Sequence, residues 1–397
     1  MRILYFSSRE CWPPNTGARL RDYHLAHQLA FHADLTYVAL AAPGASPPEP
    51  LPAEAGFQQV IMTRGRSYTP AKLLAGLLGS VPVTIRNYTS ATAAASLEAL
   101  LGREAFDVVQ IEGVHLAQYI PAIRRAAPKA ALIADWHNIE SELMYRYSES
   151  SGSLPRRLFA RRTATLIAQA EDRLLTTCDA HAVVSERERD QLLMRAPEAK
   201  IDFVPNGVDI DSYRGLAPCP TQGHHLIFVG SMDYHANIDA VRWFGSEVWP
   251  ALARQVPETV FSVVGRNPAP ELLALASKRL KLTGTVDDVR PYYRDALAML
   301  VPLRVGGGTR LKILEAMAAG VPIISSRLGA EGIPVAHERH ILFAETVEEW
   351  IAAVQRLKQD PALRARLAAE AFELASNHFG WPAAAGKLIE LHRSVQR

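Results

Sequence analysis

Short apolar runs of strand length alternate with longer stretches of helical period, and the whole scheme occurs twice along the 397 residues. That alternation marks βαβ units, in which a helix crosses over so that the next strand can lie parallel to the last. In the first half, residues 3–7, 35–40, 108–111, 131–134 and 182–185 are predicted strands. In the second half they are residues 226–229, 260–264, 280–282, 297–301 and 321–325. The expected class is α/β, with two Rossmann-like, doubly wound parallel-sheet domains; if their sheets face each other, one central cleft lies between them. Residues 1–213 form the first expected domain and residues 224–380 the second. Residues 214–223 carry Pro218, Cys219 and Pro220 with little hydrophobic pattern and are the expected linker. Residues 42–55 hold Pro43, Pro47, Pro48, Pro50 and Pro52, which predicts a surface excursion.

A hydrophobic content of 48% over this length suffices for two cores. Lys+Arg 43 against Asp+Glu 41 leaves a net charge of +2, which gives no electrostatic footprint for nucleic acid. Cys11, Cys178 and Cys219 are far apart, without the spacing of a zinc site or a disulfide framework, so a reducing cytoplasm is expected. No apolar run approaches the length of a membrane span, and residues 1–8 read as a buried strand rather than a signal peptide.

One stretch carries chemistry. Gly306, Gly307 and Gly308 follow a predicted strand and run into a helical segment that ends at Gly320 and Pro322. The first amides of a helix have no partner within it and carry partial positive charge, so this mouth suits a phosphate. Arg310 and Lys312 add charge there. Glu315 falls among Leu311, Leu314 and Ala318, in a run that otherwise faces the core, and a carboxylate there needs a partner. A pair of sugar hydroxyls is one such partner and an arginine on a neighbouring helix is another.

Parallel sheets bind ligands beyond the carboxyl ends of their strands. The polar residues expected at those ends are Ser7, Ser8, Glu112, His115, the run 135–138, Ser185 and Asn206 in the first half. In the second they are Gly230, Ser231, Gly265, Arg266, Gly284, Thr285 and the three glycines. Adjacent Asp287 and Asp288 read as a solvated turn or cap rather than metal ligands.

Pro205-Asn206-Gly207-Val208-Asp209, Phe228-Val229-Gly230-Ser231-Met232-Asp233 and Glu315-Ala316-Met317-Ala318-Ala319-Gly320-Val321-Pro322, in this order, resemble glycosyltransferase family 4. These are retaining enzymes of the GT-B fold that use nucleotide-activated sugars, and the likeness covers nearly the whole chain. Residues 14–21, 135–140 and 306–312 are similar to a bacterial subgroup associated with exopolysaccharide synthesis. The resemblance implies that Glu315 holds the donor ribose, and that the glycine loop with the amides of Thr309 and Arg310 binds the diphosphate. It implies that Gly17 packs beside that diphosphate and that Gly284-Thr285-Val286 meets the base. His137 is implied to approach the transferred sugar, and the final helix within residues 381–397 to cross back to the first domain. Asn206, Gly230 and Ser231 line the same expected cleft. The sequence departs from the family at two places: Gly307 stands eight positions before Glu315, where most members carry a glutamate, and no arginine or lysine follows Gly230 within residues 231–237. Arg310 and Lys312 are expected to replace that charge.

The activity implied is transfer of a hexose-type sugar, with retention, to a glycan or lipid-linked acceptor in polysaccharide biosynthesis. The nucleoside-diphosphate sugar is the co-substrate, and no further cofactor or metal is expected. His137 orients the sugar or else caps the helix after Asn138. Glu112 and His115 lie near the acceptor, or Glu112 pairs with an arginine of the first domain. Residues 154–162 mix Arg156, Arg157, Arg161 and Arg162 with Leu158 and Phe159, which suits either a solvated helix end or contact with an anionic membrane at the inner face. A nucleotide-sugar epimerase of the same fold and a non-catalytic nucleotide-sugar-binding protein are the competing readings. A dehydrogenase is disfavoured because residues 7–10 lack the dinucleotide glycine fingerprint.

Overall fold

The structure, a computed structural model, describes residues 1–45, 47–150, 153–214, 216, 224–306 and 310–396. The chain forms two compact units: residues 1–205 together with 381–397, and residues 206–380.

The first unit is built on a parallel sheet of seven strands: β1 (Arg2–Ser7), β2 (Asp34–Ala41), β3 (Gln58–Thr63), β4 (Val108–Glu112), β5 (Ala131–Trp136), β6 (Ala180–Val183) and β7 (Ile201–Phe203), in the order β3-β2-β1-β4-β5-β6-β7. β1, β4 and β5 are almost wholly buried, as strands covered by helices on both faces must be, and so they read as continuous apolar runs. β3 and β7 escape that signal. β3 is an edge strand whose Gln58 faces solvent, and β7 has only three residues. β6 starts at Ala180, earlier than expected, because it encloses His181, whose ring nitrogen accepts from Trp136 Nε1 at 3.2 Å.

The second unit carries six parallel strands: β8 (His225–Val229), β9 (Val260–Val264), β10 (Leu280–Leu282), β11 (Ala296–Val301), β12 (Ile323–Ser325) and β13 (Leu342–Phe343). Their order, β10-β9-β8-β11-β12-β13, is that of a dinucleotide-binding sheet. The changeover between units falls at Pro205 rather than at residue 213. Val208 explains the difference, since it bridges to Gly380 and its N–H donates to Phe379 O at 2.7 Å, both within the second unit. Of the expected linker, residues 215 and 217–223 lie outside the described residues. The Trp381–Ser394 helix belongs to the first unit, as expected, where Ala384, Leu388 and Leu391 pack with Tyr23, Leu25 and Leu29.

In each sheet the strand order reverses once, between β1 and β4 and between β8 and β11. The crevice at such a reversal is where open α/β sheets take ligands. Ser7 and Glu112 end the strands beside the first reversal, and Gly230 and residues 310–315 follow the strands beside the second, whereas Gly284, Thr285 and Val286 follow the edge strand β10.

Candidate active site

In the second unit, β8 ends at Val229 and Gly230 follows. A Cβ at Gly230 would stand 2.8 Å from Lys312 Nζ and 2.8 Å from Asn237 Nδ2. The glycine is what admits the lysine. Lys312 Nζ donates to Asn237 Oδ1 at 2.9 Å and lies 3.8 Å from the centre of the Phe228 ring. Gly265 serves the same closeness from β9, since a Cβ there would fall 1.8 Å from Gly230 O. Burial, and then the neighbouring Arg310 charge, push the Lys312 ammonium well below its ordinary range, against the opposing pull of Glu315. Two cations that raise each other's cost are relieved by an anion between them.

Arg310 is buried and forms the N-cap of the Leu311–Ala318 helix. Gly306 takes φ +109, with Tyr234 Oη 3.1 Å from where a Cβ would sit. Gly307, Gly308 and Thr309 lie outside the described residues. The helix closes as expected: Gly320 adopts φ +65, and the N–H groups of Gly320 and Val321 donate to Met317 O and Ala316 O.

Glu315 is half-buried on that helix. Its partner is not an arginine: the Tyr293 hydroxyl donates to Oε2 at 3.0 Å, and Tyr293 itself packs edge-on against Tyr213. Burial raises its pKa, while the Tyr293 hydrogen bond and Lys312 oppose the rise. Among the described residues Oε1 has no hydrogen-bond partner, which leaves an acceptor for a ligand hydroxyl.

In the first unit His137 follows β5, and its Nε2 lies 2.6 Å from Glu112 Oε2 and 3.4 Å from Asp22 Oδ1. Glu112 therefore pairs with a histidine, not with an arginine. Parallel register sets Glu112 on β4 beside Asp135 on β5, and it is Asp135 that takes the arginine, Arg21, at 2.8 Å. Asp22 comes from the Gly17–Ala30 helix, where it accepts from Ser7 Oγ at 2.8 Å and Tyr37 Oη at 3.1 Å, with Arg9 3.8 Å away. Asp22, Glu112, Asp135 and Arg21 are buried, Arg9 and His137 partly so, and their charges cancel with the shared proton on either member of the Glu112–His137 pair. Asp22, Glu112 and Asp135 balance Arg9, Arg21 and His137 when the imidazole is protonated. Burial works against that charge on His137, yet the hydrogen bonds to Asp22 and Glu112 overcome it and push its pKa up to about 9. Glu112 is pushed up to about 7, first by burial and next by Asp135, with His137 opposing. The two share one proton.

Asp22, Glu112 and His137 also lie within 4.8 Å of one another, a spacing that suits a metal ion. The 2.6 Å contact and the adjacent Arg9 also fit a proton shared between Glu112 and His137.

His115 stands apart from this network. It lies in the Val114–Tyr119 turn with its ring edge-on to Tyr88, and burial, Arg9 and His137 together lower its pKa against the pull of Glu140. Gly17 opens the helix that carries Asp22, with Thr16 as N-cap. His137 does not cap the Glu140–Ser150 helix through Nε2; the first-turn Ser141 N–H goes to Glu171 at 3.0 Å. Gly284 adopts φ +71 and bridges Gly265, Thr285 is exposed, and Val286 packs on the core. Ser231 Oγ accepts from Arg266 Nε at 3.1 Å, and Asn206 is buried at the start of the second unit. Asp288 lies in the turn before the Arg290–Arg294 helix, where it accepts from Arg290 N at 2.9 Å and pairs with the Arg290 guanidinium. The sequence reading passed over Asp22, Gln110, Asn237 and Tyr293. Asp22 had a visible signal, an acid in a stripe with Leu25, Ala26 and Leu29, which is the same anomaly that singled out Glu315.

Residues 16–207 match the Glycosyl transferase 4-like domain family, and residues 223–360 match the Glycosyl transferases group 1 family. The chain belongs to the GT-B glycosyltransferases. A phosphatidyl-myo-inositol mannosyltransferase of Mycobacterium tuberculosis is 28% identical over 209 residues, covering 48% of this chain and 53% of its own length. A D-inositol 3-phosphate glycosyltransferase of Rhodococcus opacus is 27% identical over 252 residues, covering 56% of this chain and 55% of its own. The chain thus spans about half the length of these curated relatives. A sucrose-phosphate synthase from Thermosynechococcus elongatus aligns with a TM-score of 0.74 at 18% identity, over 100% of this chain and 99% of its own. Anabaena HepE in complex with UDP-glucose aligns at 0.65 with 15% identity, over 100% of both chains. At such identities the likeness establishes the GT-B fold. Among the described residues no helix is long and apolar enough to cross a membrane.

Proposed function

We propose that this GT-B chain transfers a hexose-type sugar from a nucleoside-diphosphate sugar to a glycan or lipid-linked acceptor, with retained configuration and without a metal. The observation that carries the reading is the grouping of Arg310, Lys312 and Glu315 at the strand-order reversal of the second sheet, with Gly230 making room for the lysine. Lys312 and Arg310 meet the diphosphate and stabilise the charge that develops as the glycosidic bond breaks. Glu315 accepts from the ribose hydroxyls through Oε1. His137, held as a cation in the first unit, is the residue that the sequence resemblance assigns to the transferred sugar.

A double displacement needs two carboxylates spaced across the reacting carbon. Asp22 and Glu112 are the paired acids of the first unit, and both are engaged by His137. Attack from the leaving-group side, with the donor phosphate taking the acceptor proton, asks for no protein nucleophile. The HepE neighbour bound to UDP-glucose supports a nucleotide-sugar donor. The inositol-lipid mannosyltransferase relatives favour a membrane-borne acceptor. Leu154, Leu158 and Phe159 are exposed, beside exposed Arg156, Arg157, Arg161 and Arg162 on the Leu154–Thr177 helix, which fits contact with an anionic bilayer at the cytoplasmic face. A role in polysaccharide assembly rests on the sequence resemblance.

Calorimetry against UDP, GDP, ADP and dTDP, then their sugar conjugates, tests the donor site; binding to none of them ends the reading. NMR of the product anomer decides retention. Conversion of the donor sugar without an acceptor would establish the epimerase instead, and tight binding without turnover across many acceptors the binding protein. Flotation with vesicles that contain acidic lipid tests the membrane contact, which predicts binding lost in neutral vesicles.

A further inference from the structure

A buried hydrogen-bonded chain runs from the C-terminal helix to His137. His392, on the Trp381–Ser394 helix, has Nε2 2.8 Å from Gln110 Oε1. Gln110, on β4, donates from Nε2 to Glu112 Oε1 at 2.8 Å and lies 3.5 Å from Asp135 Oδ2. Glu112 Oε2 then meets His137 Nε2 at 2.6 Å. His392, Gln110, Glu112 and Asp135 are all buried.

The chemistry of these groups fixes every proton but one. Carboxylates only accept, so the Gln110 NH₂ must face Glu112 and Asp135, and its carbonyl must face His392. His392 therefore donates from Nε2. Burial pushes its pKa down to about 3, so it is neutral, and its Nδ1 is left buried without a hydrogen bond among the described residues. A donor at one end thus sets the amide in the middle, and the amide holds Glu112 Oε1, leaving Oε2 to His137.

We propose that His392 and Gln110 are positioning residues of the proposed transferase site: they pin Glu112 as the acceptor that keeps His137 charged, so that the C-terminal helix governs the histidine beyond β5. This rests on the reading in which His137 serves the transferred sugar. The other groups around the pair are Asp22 and Arg21 from the Gly17–Ala30 helix, Arg9 after β1, Tyr5 of β1, Tyr37 of β2, Asp135 of β5 and His115 of the turn after β4. None of them replaces the donor that Gln110 supplies to Glu112 Oε1.

The test is a ¹⁵N-imidazole NMR titration of the full chain, which needs neither donor nor turnover. In the wild type, His392 is expected as the neutral tautomer with its proton on Nε2, and His137 as a cation past pH 8. A His392 that is charged, or protonated on Nδ1, overturns the proposal outright. In Gln110→Leu and His392→Phe, Glu112 loses its support, and the His137 midpoint falls by about one pH unit or more. His392→Gln keeps a donor and restores it. An unmoved His137 midpoint in folded His392→Phe also overturns the proposal, and a fall that His392→Gln does not rescue assigns His392 a packing role only. If the donor reading fails, the titration still reads the chain; if the titration fails, nucleotide binding still tests the donor site.

Discussion

At the ends of the central strands of the first sheet, side chains of opposite charge are gathered and cancel; at the ends of those of the second, glycines draw backbone close around two neighbouring cations. Asp22, Glu112 and Asp135 against Arg9, Arg21 and His137 form the first arrangement. Gly230, Gly265, Lys312 and Arg310 form the second. The difference teaches where a substitution should be felt. A closed ion-pair network transmits damage into folding, whereas a site built by close glycine backbone and crowded cations transmits it into binding.

The largest effect is therefore expected in the first unit. Arg21→Met strands Asp135 in the interior and should cost about 3–5 kcal/mol by chemical denaturation. A loss below about 1 kcal/mol would mean that Asp135 finds water, and the contrast would break. Next comes Glu315→Gln in the second unit, which should weaken nucleoside-diphosphate binding by about 1.5–3 kcal/mol in calorimetry. Its stability should hold or rise, because burial raises the pKa of that carboxyl.

A smaller effect separates the units by pH. The His137 pKa is raised to about 9 in the folded state, so its contribution is full below the ordinary histidine range and is lost as pH climbs through about 9. Glu112, raised to about 7, acts in the same direction, because its unfavourable ionisation is completed as pH passes 7. Denaturation midpoints of the first unit should fall between pH 6 and 9.5, by on the order of 1–2 kcal/mol, and His137→Gln should flatten the upper part of that fall. Smallest of all, Asp287→Ala should shift stability by under about 0.5 kcal/mol and leave nucleotide binding unchanged, since it is an exposed turn residue.

Legibility followed the same divide. Both sheets showed in the apolar alternation, because strands covered on two faces have no room for polar residues; β3, β7 and the two-residue β13 were missed because edge and very short strands carry little such pressure. The second site was readable because glycines, a helix mouth and one misplaced acid are local signals. The first site is made by register and crossover. Glu112 meets His137 because β4 and β5 are neighbours, and Asp22 and His392 reach the same cluster from helices far away in sequence. No local pattern encodes such meetings, although the apolar stripe around Asp22 marked that residue as anomalous.

The interrupted first unit has a consequence for how the protein comes into being. Residues 206–380 are contiguous and can complete their core without any later segment of the chain. The earlier-made unit must wait, with Tyr23, Leu25 and Leu29 uncovered, until the Trp381–Ser394 helix arrives. The unit synthesised first is thus finished last, and a premature stop before Trp381 would leave the second unit whole and the first unsealed and sticky.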